Sequence, residues 1–385
     1  MKFLHLGDLH LGKSMNDYSL IEDQRYILEQ ILGIADTRQV DGVLLAGDIY
    51  DKPVPSEEAV RLLDFLLCEL AARHKKVYLV SGNHDSDERL HFGSTFFEKS
   101  DIYIASRYEG ELFCQTLEDA YGELQIYLLP FVKASQVRHF FPQEEITSYD
   151  RAVRVVLEQA GIHADARNLL VAHQFVAGSG TDPELGGSEN MAVQTVGAVE
   201  KVDVDCFAGF DYVALGHIHS PQQVGRDTIR YAGSPLKYSF SEIHKEKSVP
   251  VVTMGEKGKV DVELVPLKPR RDMRHLKGRL EQLLEKGNVQ APDDYIYVTL
   301  TDEDPIPEAM GILRQYYPNL MKLDYENSHT KEVMQPDLSR VTQEKTFQEL
   351  VSDFYYRMYG CEMNQEEMDI LLEVAKEVGI SHETD

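Results

Sequence analysis

The apolar pattern predicts an α/β fold over the first two thirds of the chain, then a small α/β module and a helical tail. Three observations predict this. Residues 1–267 alternate short apolar runs with helix-length amphipathic stretches. The composition turns basic at Lys268–Arg279 (KPRRDMRHLKGR), with six basic residues and one acidic in a chain that is otherwise acidic. From Lys345 onward apolar residues recur at helical spacing. A length of 385 residues suits two or three domains, and 43% hydrophobic residues are enough to build large cores. The expected domains are 1–267, 268–335 and 345–385.

In the first domain KFLHLGD, VDGVLLAGD, KKVYLVSGNHD, RNLLVAHQ and DYVALGHIH each run apolar and end polar, as strands opening into loops do. Helix candidates lie between them at Ser19–Ile34 and Ser56–Arg73, the second with a Ser N-cap and acids in its first turn. The second domain offers a helix near Leu276–Glu285, a strand at Tyr295–Leu300, a helix near Pro307–Tyr316 and a strand near Met321–Tyr325. In the tail Phe347, Leu350, Val351, Phe354, Tyr355 and Met358 share one helix face. Thr346 with Glu349 makes a capping box, Gly360 a stop, and Asn364 with Glu367 a second start, so a helical hairpin is expected.

Several function classes are disfavoured. No stretch approaches the roughly 20 apolar residues of a membrane span, and a cytoplasmic protein is expected. The four cysteines lie far apart without a CxxC pair, which fits reduced thiols and argues against a cysteine zinc site. The net charge of −26 argues against a free-standing nucleic-acid binder. It does not argue against phosphate chemistry, because bound dications supply positive charge locally. No GxxxxGK[ST] loop is present, so ATP use would belong to another polypeptide.

The strand ends carry the chemistry: Asp8-Leu9-His10, Gly47-Asp48 with Asp51 three residues on, Gly82-Asn83-His84-Asp85, His173, and Gly216-His217-Ile218-His219. In open α/β sheets ligands bind beyond the carboxyl ends of strands. The glycines at 7, 47, 82 and 216 allow the unusual backbone such exits need. Imidazole, carboxylate and an amide oxygen, without thiolate, suit Mn²⁺, Fe²⁺ or Zn²⁺ better than Mg²⁺ or Ca²⁺. Two such ions bridged by a carboxylate clamp a phosphodiester, activate water and stabilise the leaving oxygen. His5, inside the first strand, reads as a satisfied core histidine or as one that supports the ligands from behind, and not as a ligand.

In order and type, DxH, GDxxD, GNHD, a lone His and GHxH resemble the calcineurin-like metallophosphoesterase superfamily. The resemblance implies a two-sheet α/β sandwich flanked by helices. It implies that Asp8, His10, Asp48 and His219 hold one metal, that Asp48 bridges, and that Asn83, His173 and His217 complete the second site. His84 would be catalytic, contacting the scissile phosphate and assisting the leaving group. LLAGDIYDKPVPS, SGNHDSDERL, HQFVAGSG, DYVALGHIHSPQ, YAGSPLKYSFSE and PLKPRRDMRHLKG are further similar to the SbcD family of nuclease subunits, with GSPLKYSFSE the most specific.

That family implies a capping domain after the sandwich, and a Mn²⁺-dependent exonuclease and endonuclease on double-stranded DNA and DNA hairpins, acting in repair, recombination and replication. It also implies a homodimer that works with an SbcC-type coiled-coil ATPase. Phe347, Leu350, Phe354 and Met358 would dock on that coiled coil as a helix in a groove; packing on their own domain is the alternative. Arg270, Arg271 and Arg274 would contact the DNA backbone, or else belong to a solvated linker. Archaeal and eukaryotic relatives carry a His at the position of Asp51, so a role tied to that His is not carried over. Two rival readings stay open: a small-molecule phosphodiesterase or phosphatase on the same scaffold, and a structural subunit without chemistry.

Overall fold

A computed structural model describes residues 1–178, 182–185, 187, 201–285 and 289–328, with scattered positions between 351 and 371. Strands β1 (Lys2–Leu6), β2 (Gly42–Ala46), β3 (Lys76–Val80) and β4 (Ile102–Ala105) run parallel. Helices α1 (Ile21–Thr37) and α2 (Glu57–Ala72) connect the first three. Both match the sequence expectation, and the Ser56 hydroxyl accepts from the Ala59 N–H at 3.2 Å as the N-cap of α2.

The chain then builds a second sheet from β5 (Phe113–Asp119), β6 (Gly122–Leu129), β7 (Arg167–His173), β8 (Tyr212–Gly216), β9 (Gln222–Val224) and β10 (Arg226–Tyr231), with helix α3 (Tyr149–Gln159) between β6 and β7. It returns to the first sheet with β11 (Ser248–Met254) and β12 (Val260–Pro266). The strand orders are β12-β11-β1-β2-β3-β4 and β9-β10-β8-β7-β6-β5.

Alternation explains the layers. Leu44 and Ala46 of β2 point one way, and with Phe3, Tyr78 and Val252 they meet Ile126, Leu169, Val171 and Ala214 of the second sheet. Val43 and Leu45 point the other way, into a core with Ile27, Leu28 and Ile31 of α1 and Leu62, Leu66 and Leu70 of α2. Leu170, Ala172, Val213 and Leu215 pack on Ala152, Val153 and Val156 of α3. Each central strand is therefore apolar on both faces, which is why it reads as a continuous run. This is the two-sheet sandwich flanked by helices that the resemblance implied.

A third sheet holds β13 (Met273–Gly278), β14 (Tyr295–Leu300) and β15 (Leu320–Tyr325) in that order. The helix expected at Leu276–Glu285 is shorter, Leu280–Leu284, because Leu276–Gly278 extends β13. The Asp302 carboxylate accepts from the Leu280 N–H at 2.9 Å and marks its start. By contacts the chain divides into one compact unit of Met1–Leu276, Gln290–Tyr297 and Arg314–Lys322, and another of Lys277–Val289, Val298–Leu313 and Leu323–Asp385. In the second, Val298, Leu300, Ala309 and Leu313 are buried.

Phe347, Leu350, Phe354 and Met358 lie outside the described residues, so the first tail helix is not described. The second start is seen: Asn364 N–H donates to the Glu367 carboxylate and Glu367 N–H to Asn364 Oδ1, each at 2.9 Å. Among the described residues Cys68, Cys114 and Cys206 are free thiols, and no helix is long and apolar enough to cross a membrane.

Candidate metal centre

The carboxyl ends of β1, β2, β3, β7 and β8 open toward one point. Beyond the sheet the exits of β1 and β2 stay side by side: Asp8 N–H donates to Gly47 O at 3.1 Å, His10 N–H to Asp48 O at 2.9 Å and Leu11 N–H to Ile49 O at 2.9 Å. Asp8, His10, Asp48 and His217 adopt positive φ, at 51°, 43°, 48° and 108°. Four non-glycine residues in that region, gathered at one place, mark backbone held against its preference.

The glycine expectation needs correction here. Only Gly47 uses positive φ, at 77°. Gly82 and Gly216 are there for space: a Cβ would lie 2.1 Å from Asp48 Oδ1 at one and 1.7 Å from Ala46 O at the other. The strained backbone falls on the polar residues instead.

The structure brings Asp8, His10, Asp48, Asn83, His173, His217 and His219 together. Ligand atoms of Asp8, His10 and His219 lie within 4.8 Å of one another, as do those of Asp8, Asp48 and His173, and of His10, Asp48 and His84. His10 Nε2 is 3.0 Å from His219 Nε2 and 3.5 Å from Asp48 Oδ2. His173 Nε2 is 3.5 Å from Asp48 Oδ1 and 3.1 Å from Asn83 Oδ1, which also lies 2.9 Å from His217 Nδ1. Asp48 touches both halves of the group.

The protonation pattern suits cations. Burial lowers the His10 and His219 pKa values well below 6.5 and takes His173 down to about 3. These rings are neutral near pH 7, as metal ligation requires. His173 Nδ1 donates to Ala46 O at 2.8 Å. Its Nε2 is then a lone pair facing another acceptor, Asn83 Oδ1, and a cation between them resolves that opposition. His10 Nδ1 is buried without a hydrogen bond. The donor set therefore fits borderline divalent metal. His5 differs: Nε2 donates to Leu215 O at 3.1 Å, Nδ1 lies 3.0 Å from the Tyr212 hydroxyl, and burial holds its pKa near 3. It is a satisfied core histidine.

His84 stands at the rim with its side chain 15% exposed. Its N–H donates to Asp48 Oδ1 at 2.9 Å and its Nδ1 to Asp51 O at 3.0 Å, so Nε2, 4.0 Å from Asp48 Oδ2, faces the cleft.

Sequence reasoning missed three supports. The Asp85 carboxylate accepts from the N–H groups of Tyr50 and Gly82 at 2.9 Å and of Ile49 at 3.1 Å, clamping two exits together, and burial raises its pKa to about 7. Tyr238 donates to Leu9 O at 2.6 Å, and its ring centroid lies 5.7 Å from that of His10 and 5.9 Å from that of His219. Buried Lys247 donates to His219 O and Ser234 Oγ at 2.8 Å and to Glu242 Oε2 at 2.5 Å. Ser234, Tyr238 and Glu242 all belong to GSPLKYSFSE, whose specificity in the sequence was the available signal.

The basic segment behaves otherwise. Arg270 and Arg271 bond Glu22 at 3.0 and 2.9 Å, and Arg271 also bonds Asp23 at 3.1 Å. Arg274 bonds Asp294 at 2.7 Å and Ala291 O at 2.8 Å.

Known proteins resemble this chain. The calcineurin-like phosphoesterase model matches residues 1–221, and the type 5 capsule protein repressor C-terminal domain model, of the SbcD type, matches residues 269–359. The SbcD component of the SbcCD nuclease of Staphylococcus epidermidis is 33% identical over 376 residues, covering 96% of each chain. An inner membrane complex anchor of Plasmodium and a dimetal phosphatase from Danio rerio each cover 70% of this chain at 13% identity and TM-score 0.39, with 89% and 99% of their own chains covered. Likeness that distant adds nothing to the assignment.

Proposed function

The chain belongs to the calcineurin-like phosphoesterase family, with an SbcD-type C-terminal region, and from that premise we propose that it is the metal-dependent DNA nuclease subunit of an SbcC–SbcD-type complex. The observation that carries this is the convergence of seven neutral or acidic ligands on one buried point beside a partly exposed histidine.

Asp8, His10, Asp48 and His219 would hold one ion, with Asn83, His173 and His217 completing the second site and Asp48 shared. When bound, the pair, taken as Mn²⁺ from the resemblance to SbcD-type nucleases, would supply Lewis acidity for water and phosphate. The chain's own part follows from its geometry. The seven ligands would hold the ions, Asp48 also steadies His84 through the His84 main-chain N–H, and Asp85 keeps the exits of β2 and β3 in register. The Asp51 carbonyl accepts from His84 Nδ1 and leaves Nε2 facing the cleft, so the ring in its doubly protonated form can pass its Nε2 proton to the leaving oxygen and keep the one on Nδ1.

Mn²⁺-dependent digestion of a DNA hairpin by the full chain, with and without an SbcC-type ATPase and ATP, tests the reading. His84→Ala should keep its metal content and lose cleavage; a variant that still cuts would refute the catalytic assignment. Turnover of a chromogenic phosphodiester without any cleavage of DNA would move the protein to the small-molecule phosphodiesterases.

The finer partner assignments belong to the same reading. The tail with Phe347, Leu350, Phe354 and Met358 docks on the ATPase, and removal of Lys345–Asp385 should abolish co-purification. A homodimer uses the apolar groove beside α2, where Phe92 and Phe96 are 84% and 71% exposed next to Val60. Phe92→Ser with Phe96→Ser should then sediment as a monomer. A DNA-processing protein of this kind works in the cytoplasm, at the nucleoid. Backbone contact by Arg270, Arg271 and Arg274 would require DNA phosphates to replace their present carboxylate partners.

A further inference from the structure

Metal ligation leaves one charged residue of DLHLGK without a use. Lys13 lies one tight turn beyond the ligand His10, its N–H donating to His10 O at 3.0 Å. Its ammonium is 2.8 Å from Asp51 Oδ1 and 5.4 Å from the ring centroid of Tyr238, the ring that packs on His10 and His219. Asp51 Oδ1 is in turn 3.7 Å from His10 Nδ1, and the Asp51 carbonyl holds His84 Nδ1. The Lys13–Asp51 pair is thus set between a ligand histidine and the catalytic histidine. The two side chains are 16% and 14% exposed, so the pair stands in the wall of the cleft and still meets solvent.

The surroundings give this cation a purpose. The chain carries a net charge of −26 and its substrate is a polyanion. Asp8, Asp48 and Asp85 crowd the same exits. The other buried lysine nearby, Lys247, is committed to Glu242, Ser234 and the His219 carbonyl. An ammonium has three donors, and Asp51 takes one, so an incoming phosphate oxygen can be bound without breaking the pair. The long aliphatic stem lets the head follow a strand that shifts. From His10 Nδ1 through Asp51 Oδ1 to the ammonium, the two contacts of 3.7 and 2.8 Å keep Lys13 near a ligand histidine, close enough to reach a phosphate bound beside the ligand cluster.

We propose that Lys13 binds a non-bridging oxygen of the phosphate next to the scissile one, and that Asp51 is the tether that holds the ammonium at the cleft wall before DNA arrives. This rests on the nuclease reading and deepens it. The competing account is that Lys13 only neutralises Asp51 and steadies the loop. The two accounts differ in what they predict for the partner residue.

The experiment measures DNA affinity of the full chain by fluorescence anisotropy across a salt series, in the His84→Ala background so that the strand is not cut. Lys13→Met should weaken binding about tenfold or more and reduce the salt slope by about one contact. Lys13→Arg should restore both. Asp51→Asn should weaken binding clearly less than Lys13→Met, because the lost tether is offset by removing a negative charge beside a polyanion. Equal losses in Lys13→Met and Asp51→Asn would overturn the proposal, as would unchanged affinity in a Lys13→Met protein of wild-type melting temperature. With His84 intact, Lys13→Met should slow hairpin digestion more than hydrolysis of a chromogenic diester, which has a single phosphate; equal slowing would place Lys13 in service of the metals instead. A wild-type chain that hydrolyses the chromogenic diester and leaves DNA uncut would refute the nuclease reading itself, a result distinct from all of these.

Discussion

Two polar clusters stand out in this chain, at the strand ends and in the basic segment after β12, and they behave in opposite ways. At the strand ends an acceptor faces an acceptor: with Nδ1 donating to Ala46 O, His173 Nε2 meets Asn83 Oδ1 at 3.1 Å, and the ring nitrogens His10 Nε2 and His219 Nε2 stand 3.0 Å apart. In the basic segment donors meet acceptors: Arg271 bonds Glu22 and Asp23, and Arg274 bonds Asp294. A charged group whose partner is already in the fold is scaffold. A buried lone pair whose neighbour is another lone pair asks for something from outside. Density of charge does not separate the two cases; complementarity does.

The sharpest way to break this contrast is through Asp85. It is complementary within the fold yet it supports the uncomplemented site. Asp85→Asn replaces one oxygen with an NH₂ group that must face a main-chain N–H of residues 49, 50 or 82. Nuclease turnover should fall about 10–100-fold, as when the support behind a metal ligand is lost, with metal content reduced less than turnover. Unchanged turnover would show that the exits hold themselves.

The basic segment should respond in stability. Arg271→Ala strips Asp23, 2% exposed, of its cation and leaves it the Tyr295 hydroxyl at 2.7 Å. Breaking a fully buried pair costs about 3–5 kcal/mol, and partial exposure of Arg271 reduces this to about 1–2 kcal/mol, read by chemical denaturation. Arg270→Ala, at an exposed pair, should cost less than about 1 kcal/mol. If the triple change at Arg270, Arg271 and Arg274 also flattens the salt dependence of DNA binding, the segment is an interface as well as a scaffold.

The smallest effect concerns pH. The folded His5 pKa is near 3 against an ordinary 6.5, so the fold disfavours its charged form. Its contribution to stability is whole above pH 6.5 and is lost as pH falls from 6.5 toward 3. His5→Gln should make the melting temperature of the metal-free chain less sensitive to acid over that window. An identical pH dependence would assign the acid sensitivity to the other buried histidines.

Much of this was legible beforehand because strand ends announce themselves. An apolar run buried on both faces stops where the chain turns polar, and five such stops carried Asp8 and His10, Asp48, Asn83 and His84, His173, and His217 with His219. Helices α1 and α2 were legible for the same local reason, through apolar period and, in α2, the Ser56 cap. Less legible were roles set by residues far away in the chain. Arg271 looked available because Glu22 and Asp23 lie about 250 residues earlier. Gly82 and Gly216 looked like flexible joints because Asp48 and Ala46 O, the atoms that exclude a side chain there, come from another strand. The sequence alone determined which residue types stand at the ends of which strands, because period and polarity are local. Only the tertiary structure decided which of them face one another across the cleft, why glycine is required, and that Lys13 stands beside Asp51, because those depend on which distant atoms share a few ångströms of space.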